Sequence, residues 1–305
     1  MIDRRDLLVG AGLGTLLACL GLSGCGTPGT DPPGTHPVLR TPRPAGALAL
    51  LRARGTDARA RLLGVRGDDV MVGLGPTLAD VPVMPDFPGE TLDRDRSRTD
   101  AFVQVEGDDR DDCADRLAEV LAELPGLTPV WTVPVHRDVA PPLDGKPLQR
   151  NPFGFVEGQT NEQSVLLPDG DTLAALRVIR LAHPLWDADS AEAQARIIGR
   201  HPDGTWLDGT PPGRVPDYAG DPDGVAIPLN SHVRAMNPRT GDTPAPRMLR
   251  RSWIYQETPA ETGVVFMAFQ SSFEDGFARA QSRLASDALH PYLLTTAGGY
   301  YRVPA

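Results

Sequence analysis

Apolar residues recur with a period of two, then near 3.6, then two again, and this order runs through the chain twice. Residues 101–105 alternate as a strand. Cys113, Leu117, Val120, Leu121 and Leu124 fall at helical spacing, and residues 128–136 alternate again. In the second half, residues 173–181 read as a strand, Ala191–Ile198 as a helix and 263–270 as an apolar strand. Phe273, Phe277, Ala280, Leu284 and Ala288 then form a helical stripe, and 300–303 can close a sheet. Ahead of the first set, 70–75 is a short apolar strand ended by Pro76, and 47–63 reads as a short, imperfect helix. This order fits two α+β modules, each an antiparallel sheet covered by helices, better than a doubly wound parallel sheet. The expected modules are residues 47–165 and 166–305. Residues 203–228, rich in Gly, Pro and Asp, read as a long surface loop.

Residues 1–25 read as a targeting signal. Arg4 and Arg5 form a twin-arginine pair. Residues 7–22 are apolar but too short and Gly-rich for a good transmembrane helix, and Leu22-Ser23-Gly24-Cys25 has the form of a bacterial lipobox. The expectation is export by the twin-arginine route, cleavage before Cys25, and a lipid anchor on the outer face of the cytoplasmic membrane, periplasmic or at the cell surface. That route carries folded proteins, often with a cofactor already inserted. Residues 26–46 hold six prolines and read as a tether.

A formal net charge of −10 argues against nucleic acid as a partner. Three cysteines without a CxxC pair give no support to a zinc site, an iron–sulfur cluster or an internal disulfide. Cys113 lies on the apolar helical face and reads as inert core. The six histidines show neither HExxH nor close His–His spacing, so a mononuclear zinc site is poorly supported. No GxSxG, P-loop or nucleotide-binding GxGxxG is present.

His232 stands apart by its neighbours. It lies in Ser231-His232-Val233-Arg234-Ala235-Met236-Asn237-Pro238-Arg239, and Arg247-Met248-Leu249-Arg250-Arg251-Ser252-Trp253 follows. Upstream stands Arg150-Asn151-Pro152-Phe153-Gly154-Phe155-Val156-Glu157-Gly158. In this order the three segments resemble the GFxDG, SHxRxxNPR and RxLRRG signature of the dye-decolorising (DyP-type) haem peroxidases. The likeness runs from about Val70 to the end of the chain, and includes the family's exported deferrochelatase branch.

The resemblance implies two ferredoxin-like modules with haem b in the C-terminal one. It makes His232 the proximal ligand to the haem iron, Glu157 the catalytic carboxylate, Arg250 the distal arginine and Arg239 a contact to a haem propionate. The residue types suit the chemistry. A neutral imidazole binds the iron from one side and leaves the other face open to peroxide. Cleaving the O–O bond needs a base that moves a proton between the oxygens, and a fixed positive charge where negative charge develops. A guanidinium pairs well with a propionate.

This sequence also departs from the pattern. Glu157 stands where the family has Asp, which moves the charged end by roughly 1–1.5 Å. Ser252 replaces the usual Gly. Ser272 stands where many relatives have an Asp near the proximal side, so the resemblance assigns His232 no partner; Glu274 and Asp275 are near in sequence only. No first strand is evident between His36 and Ala47, so the first module reads as trimmed.

Three functions stay open at this level. The leading one is a peroxidase that reduces hydrogen peroxide and oxidises small aromatic or dye-like donors. Trp186, Trp253, Tyr255 and Tyr300 are then either electron relays or packing aromatics. The second is an exported haem-binding protein or deferrochelatase working with iron-uptake proteins. The third is a degenerate module that binds no haem.

Overall fold

A computed structural model describes residues 35–305 apart from 145, 158–163, 240–242 and 259–260. The targeting signal lies outside the described residues. The first correction comes where the body begins. Strand β1 (Ala45–Ala53) occupies most of the stretch read as a helix over 47–63, and only α1 (Ala58–Gly64) is helical. Ala and Leu favour helices in isolation. Here both edges of β1 are paired, with β3 (Ala101–Gly107) and β4 (Leu127–His136). Leu48 and Leu50 enter one core and Ala47, Ala49 and Leu51 another. A strand buried on both faces needs an unbroken apolar run, which is why its period was not legible. The first module is therefore not missing its first strand.

With β2 (Val70–Leu74) the first sheet has the order β4-β1-β3-β2, and α2 (Arg110–Ala122) covers it. Asp109 caps α2 by accepting from the Asp111 and Asp112 N–H groups. The helix lays Cys113, Leu117 and Val120 on the sheet. Burial pushes the Cys113 thiol up to about 11, helped by the nearby aspartates, so it is inert core. Gly73 is obligatory: a Cβ there would sit 2.0 Å from the Phe102 ring.

The second module repeats the plan. Its strands are β8 (Thr172–Leu181), β9 (Leu249–Thr258), β10 (Glu261–Gln270) and β11 (Leu293–Val303), in the order β11-β8-β10-β9. Both modules are thus ferredoxin-like antiparallel sheets. Their edges meet at β2–β11 and β4–β9, closing one eight-stranded barrel. Closure removes the exposed strand edges. Phe102, Trp131, Leu176, Trp253, Tyr255 and Tyr301 fill the interior.

Helices α3 (His183–Trp186), α4 (Ala191–Ile198), α5 (His232–Met236) and α6 (Arg279–Arg283) belong to the second module. The stripe from Phe273 is not one helix, because a π turn (Glu274–Ala278) precedes α6. A separate small sheet, β5 (Asp138–Leu143), β6 (Lys146–Arg150) and β7 (Val156–Glu157), links the modules in sequence.

Two more expectations change. The tether read over 26–46 stops short of its expected end. Val38 is fully buried, and Arg251 donates to the carbonyls of Val38 (2.7 Å) and Arg40 (2.5 Å). The loop over 203–228 has no helix or strand, yet Trp206, Tyr218 and Ile227 form a small core of their own. Arg234 on α5 pins that loop through Asp221 Oδ2 (2.8 Å) and the Ile227 carbonyl (2.7 Å). The arginine of the SHxR segment is therefore a structural clamp.

Candidate functional site

The outer face of the second sheet is only partly covered. Between it and the helices lies a cavity of about 620 Å³. Strands contribute Arg177, Ile179, Arg250, Val264 and Phe266, and the helical side contributes Ile198, His232, Val233, Met236 and Ala280. The small sheet adds Gln149 and Glu157 at one end.

Period-two geometry assigns the Arg250–Arg251 pair. On β9, Leu249, Arg251, Trp253 and Tyr255 turn to the buried face, so Arg250 points the other way, into the cavity. Burial lowers the Arg250 pKa, with Glu157 opposing that shift.

Glu157 is placed by a local turn. Asn151 Oδ1 accepts from the Phe153 (3.1 Å) and Phe155 (3.0 Å) N–H groups, an Asx-type turn. Gly154 has φ +86°, a conformation that favours glycine. Phe155 is then buried, and β7 pairs with β6, which brings Glu157 to the cavity.

His232 opens α5 on the helical side, and its Nδ1 donates to Asp287 Oδ2 at 2.6 Å. Asp287 is buried, and its other oxygen accepts from the Leu289 N–H at 2.9 Å. The bond puts the imidazole proton on Nδ1 and leaves the Nε2 lone pair for a ligand. Burial alone would depress the His232 pKa; the Asp287 carboxylate more than offsets it, and the net shift is upward.

The partner of His232 is thus Asp287, 55 residues downstream, which sequence reasoning missed. Glu274 and Asp275 do not serve: Asp275 pairs with Arg279, and neither lines the cavity. No local signal marks Asp287, because the contact arises when the loop after α6 packs under α5.

Three of the four candidates therefore share one cavity: His232, Glu157 and Arg250. Arg239 does not line it. Its guanidinium lies over the rings of Trp206 (5.3 Å) and Tyr218 (5.4 Å) and donates to the Tyr218 hydroxyl at 3.3 Å. Arg200 does line it, and was also missed. It is buried over Trp206 at 4.1 Å, with an Nε that has no partner among the described residues. Burial pushes its pKa down to about 10, and Arg250 and Arg239 add to that. The aromatics Trp186, Trp253, Tyr255 and Tyr300 are all buried.

The donor set fits a haem. One imidazole has its proton committed elsewhere, the lining is largely apolar, and the cationic edge at Arg200 has unsatisfied donor capacity that suits a propionate carboxylate.

Comparison with known proteins agrees with this geometry. The family model "Dyp-type peroxidase, C-terminal" matches residues 149–305. The chain belongs to the Dyp-type peroxidase family, whose cofactor is haem. The deferrochelatase of Escherichia coli (strain K12) is 29% identical over 264 residues, covering 76% of this chain and 62% of that protein. The Shigella flexneri deferrochelatase gives the same values. The chain thus spans 62% of the length of these curated relatives. Among solved structures, the DyP-type peroxidase from Cellulomonas bogoriensis is 26% identical with a TM-score of 0.74, covering 86% of this chain and 90% of that one. Ferric DtpA from Streptomyces lividans shares the fold, at 22% identity, a TM-score of 0.73, and coverage of 87% and 89%.

Proposed function

We propose that this protein is a haem peroxidase that reduces hydrogen peroxide and oxidises small aromatic or dye-like donors. The observation that carries the reading is the meeting, in one cavity, of an Asp287-oriented imidazole with the Glu157–Arg250 pair. His232 Nε2 would hold the iron, and Arg200 would face a propionate. When bound, the haem supplies the redox-active metal that accepts peroxide.

The chain's own residues manage charge and protons. Asp287 keeps the His232 proton on Nδ1 and strengthens the imidazole as a donor. A Glu157 carboxylate oxygen takes the proton of the incoming peroxide and returns it to the leaving oxygen. The Arg250 guanidinium stands ready for the negative charge that develops there. The apolar lining keeps bulk water from competing for that charge.

The name of the curated relatives favours a second reading, a deferrochelatase acting in iron acquisition beside iron-uptake proteins. The same cavity would serve it. Arg4-Arg5 and the Leu22–Cys25 lipobox support export and lipid anchoring. Protein made in a haem-replete host should carry a Soret band that His232→Ala shifts or abolishes, and should turn over peroxide with a phenolic donor. Bound haem without peroxide turnover would leave the second reading; absence of haem defeats both.

A further inference from the structure

We infer that Gln149 positions the Glu157 carboxylate for proton transfer. The inference rests on the reading of Glu157 as the proton carrier. Gln149 sits on β6, directly opposite Glu157 in the β6–β7 register, so the two side chains share one face of the small sheet. Its Nε2 donates to Glu157 Oε2 at 3.2 Å. Among the described residues no other side chain donates a hydrogen bond to that carboxylate. A glutamate has three rotatable bonds, so without such a tether its oxygens sweep a wide arc, and transfer depends on ångström-scale placement.

Gln149 is well built as a tether. It is buried, and its strand is central, paired with Val139 on one side and Glu157 on the other. The carboxylate only accepts, so the amide must turn its NH2 group toward Glu157. That fixes the carbonyl as well. Gln149 Oε1 is buried without a partner among the described residues, on a side chain that lines the cavity. It is left as an acceptor for an O–H group bound there. One amide thereby aligns the carboxylate and completes the polar end of the cavity.

Cyanide binding to the haem-loaded protein tests this without peroxide turnover. Cyanide arrives as HCN and must surrender a proton, whereas nitric oxide binds ferric haem without giving one up. Gln149→Asn keeps an amide but withdraws it by about 1.5 Å. It should slow cyanide association about tenfold, as expected for losing a hydrogen bond to a charged group, and leave nitric oxide association unchanged. Gln149→Leu, close in volume, should do the same. Glu157→Gln should slow cyanide at least as much, and adding Gln149→Asn to it should cost nothing further. Wild-type cyanide rates in both Gln149 variants, with Glu157→Gln slow, overturn the role of Gln149 alone. A wild-type rate in Glu157→Gln overturns the reading of Glu157 and this inference with it. Equal slowing of nitric oxide in the Gln149 variants means a distorted pocket and also overturns it.

Discussion

Asp287→Asn is the substitution that separates the orientation of His232 from its mere presence. The side chains have the same shape, so the buried site is not emptied. One Asp287 oxygen is anchored by the Leu289 N–H at 2.9 Å, and the asparagine carbonyl inherits that bond. The NH2 group then faces His232 Nδ1, across the 2.6 Å contact that the carboxylate now accepts. Two donors cannot share that contact, so Nδ1 must become the acceptor and the proton moves to Nε2, the atom required by the iron. Losing such an outer partner costs about 10–100-fold in metal affinity, or about 1.4–2.7 kcal/mol. The assay is transfer of haem to excess apomyoglobin, followed at the Soret band. Asp287→Asn should release haem about 10–100-fold faster than the wild type, with an altered ferric spectrum. Haem loss at the wild-type rate with an unchanged spectrum would show that Asp287 does not set the tautomer.

Two further outcomes follow from buried arginines. Arg251→Leu removes a buried guanidinium that holds the Val38 and Arg40 carbonyls and pairs with Glu106 at 3.2 Å; it should cost about 3–5 kcal/mol in urea unfolding. It should also expose residues 35–42 to limited proteolysis, and resistance there would refute the clamp. The N–H groups of Ile227, Ala226 and Val225, with Arg234, hold the Asp221 carboxyl below its ordinary pKa. Its support for the 203–228 loop is therefore fully present above the unfolded Asp value, about 4. That support is lost as pH falls through the lower folded value. Hydrogen-exchange protection factors over 221–234, taken relative to the intrinsic rate at each pH, should fall on acidification in the wild type. Asp221→Asn should show low protection already at neutral pH, with little further change in the protection factor; matching profiles would refute the assignment.

Much of the fold was legible because its signals are local. The alternation in 128–136, the helical spacing from Cys113 to Leu124 and the apolar run ending at Gln270 correspond to β4, α2 and β10. The strand β1 was not legible, since a segment buried on both faces loses the period that distinguishes strand from helix. Nor was the end of the tether, because Val38 is fixed by an arginine more than two hundred positions away.

The candidate site divides in the same way. The sequence alone determined which residue types were available and in what order: Glu157 after Gly154-Phe155, His232 in its SHxRxxNPR segment, and the paired Arg250 and Arg251 in the third segment. Only the tertiary structure decided what those side chains meet. Asp287 reaches His232, Gln149 reaches Glu157, and Arg200 lines the cavity while Arg239 lies over Trp206 and Tyr218. These are contacts between segments, made by sheet register and by helices packing on the sheet. Local periodicity fixes the direction in which a side chain leaves the backbone, but not the partner that burial brings to meet it.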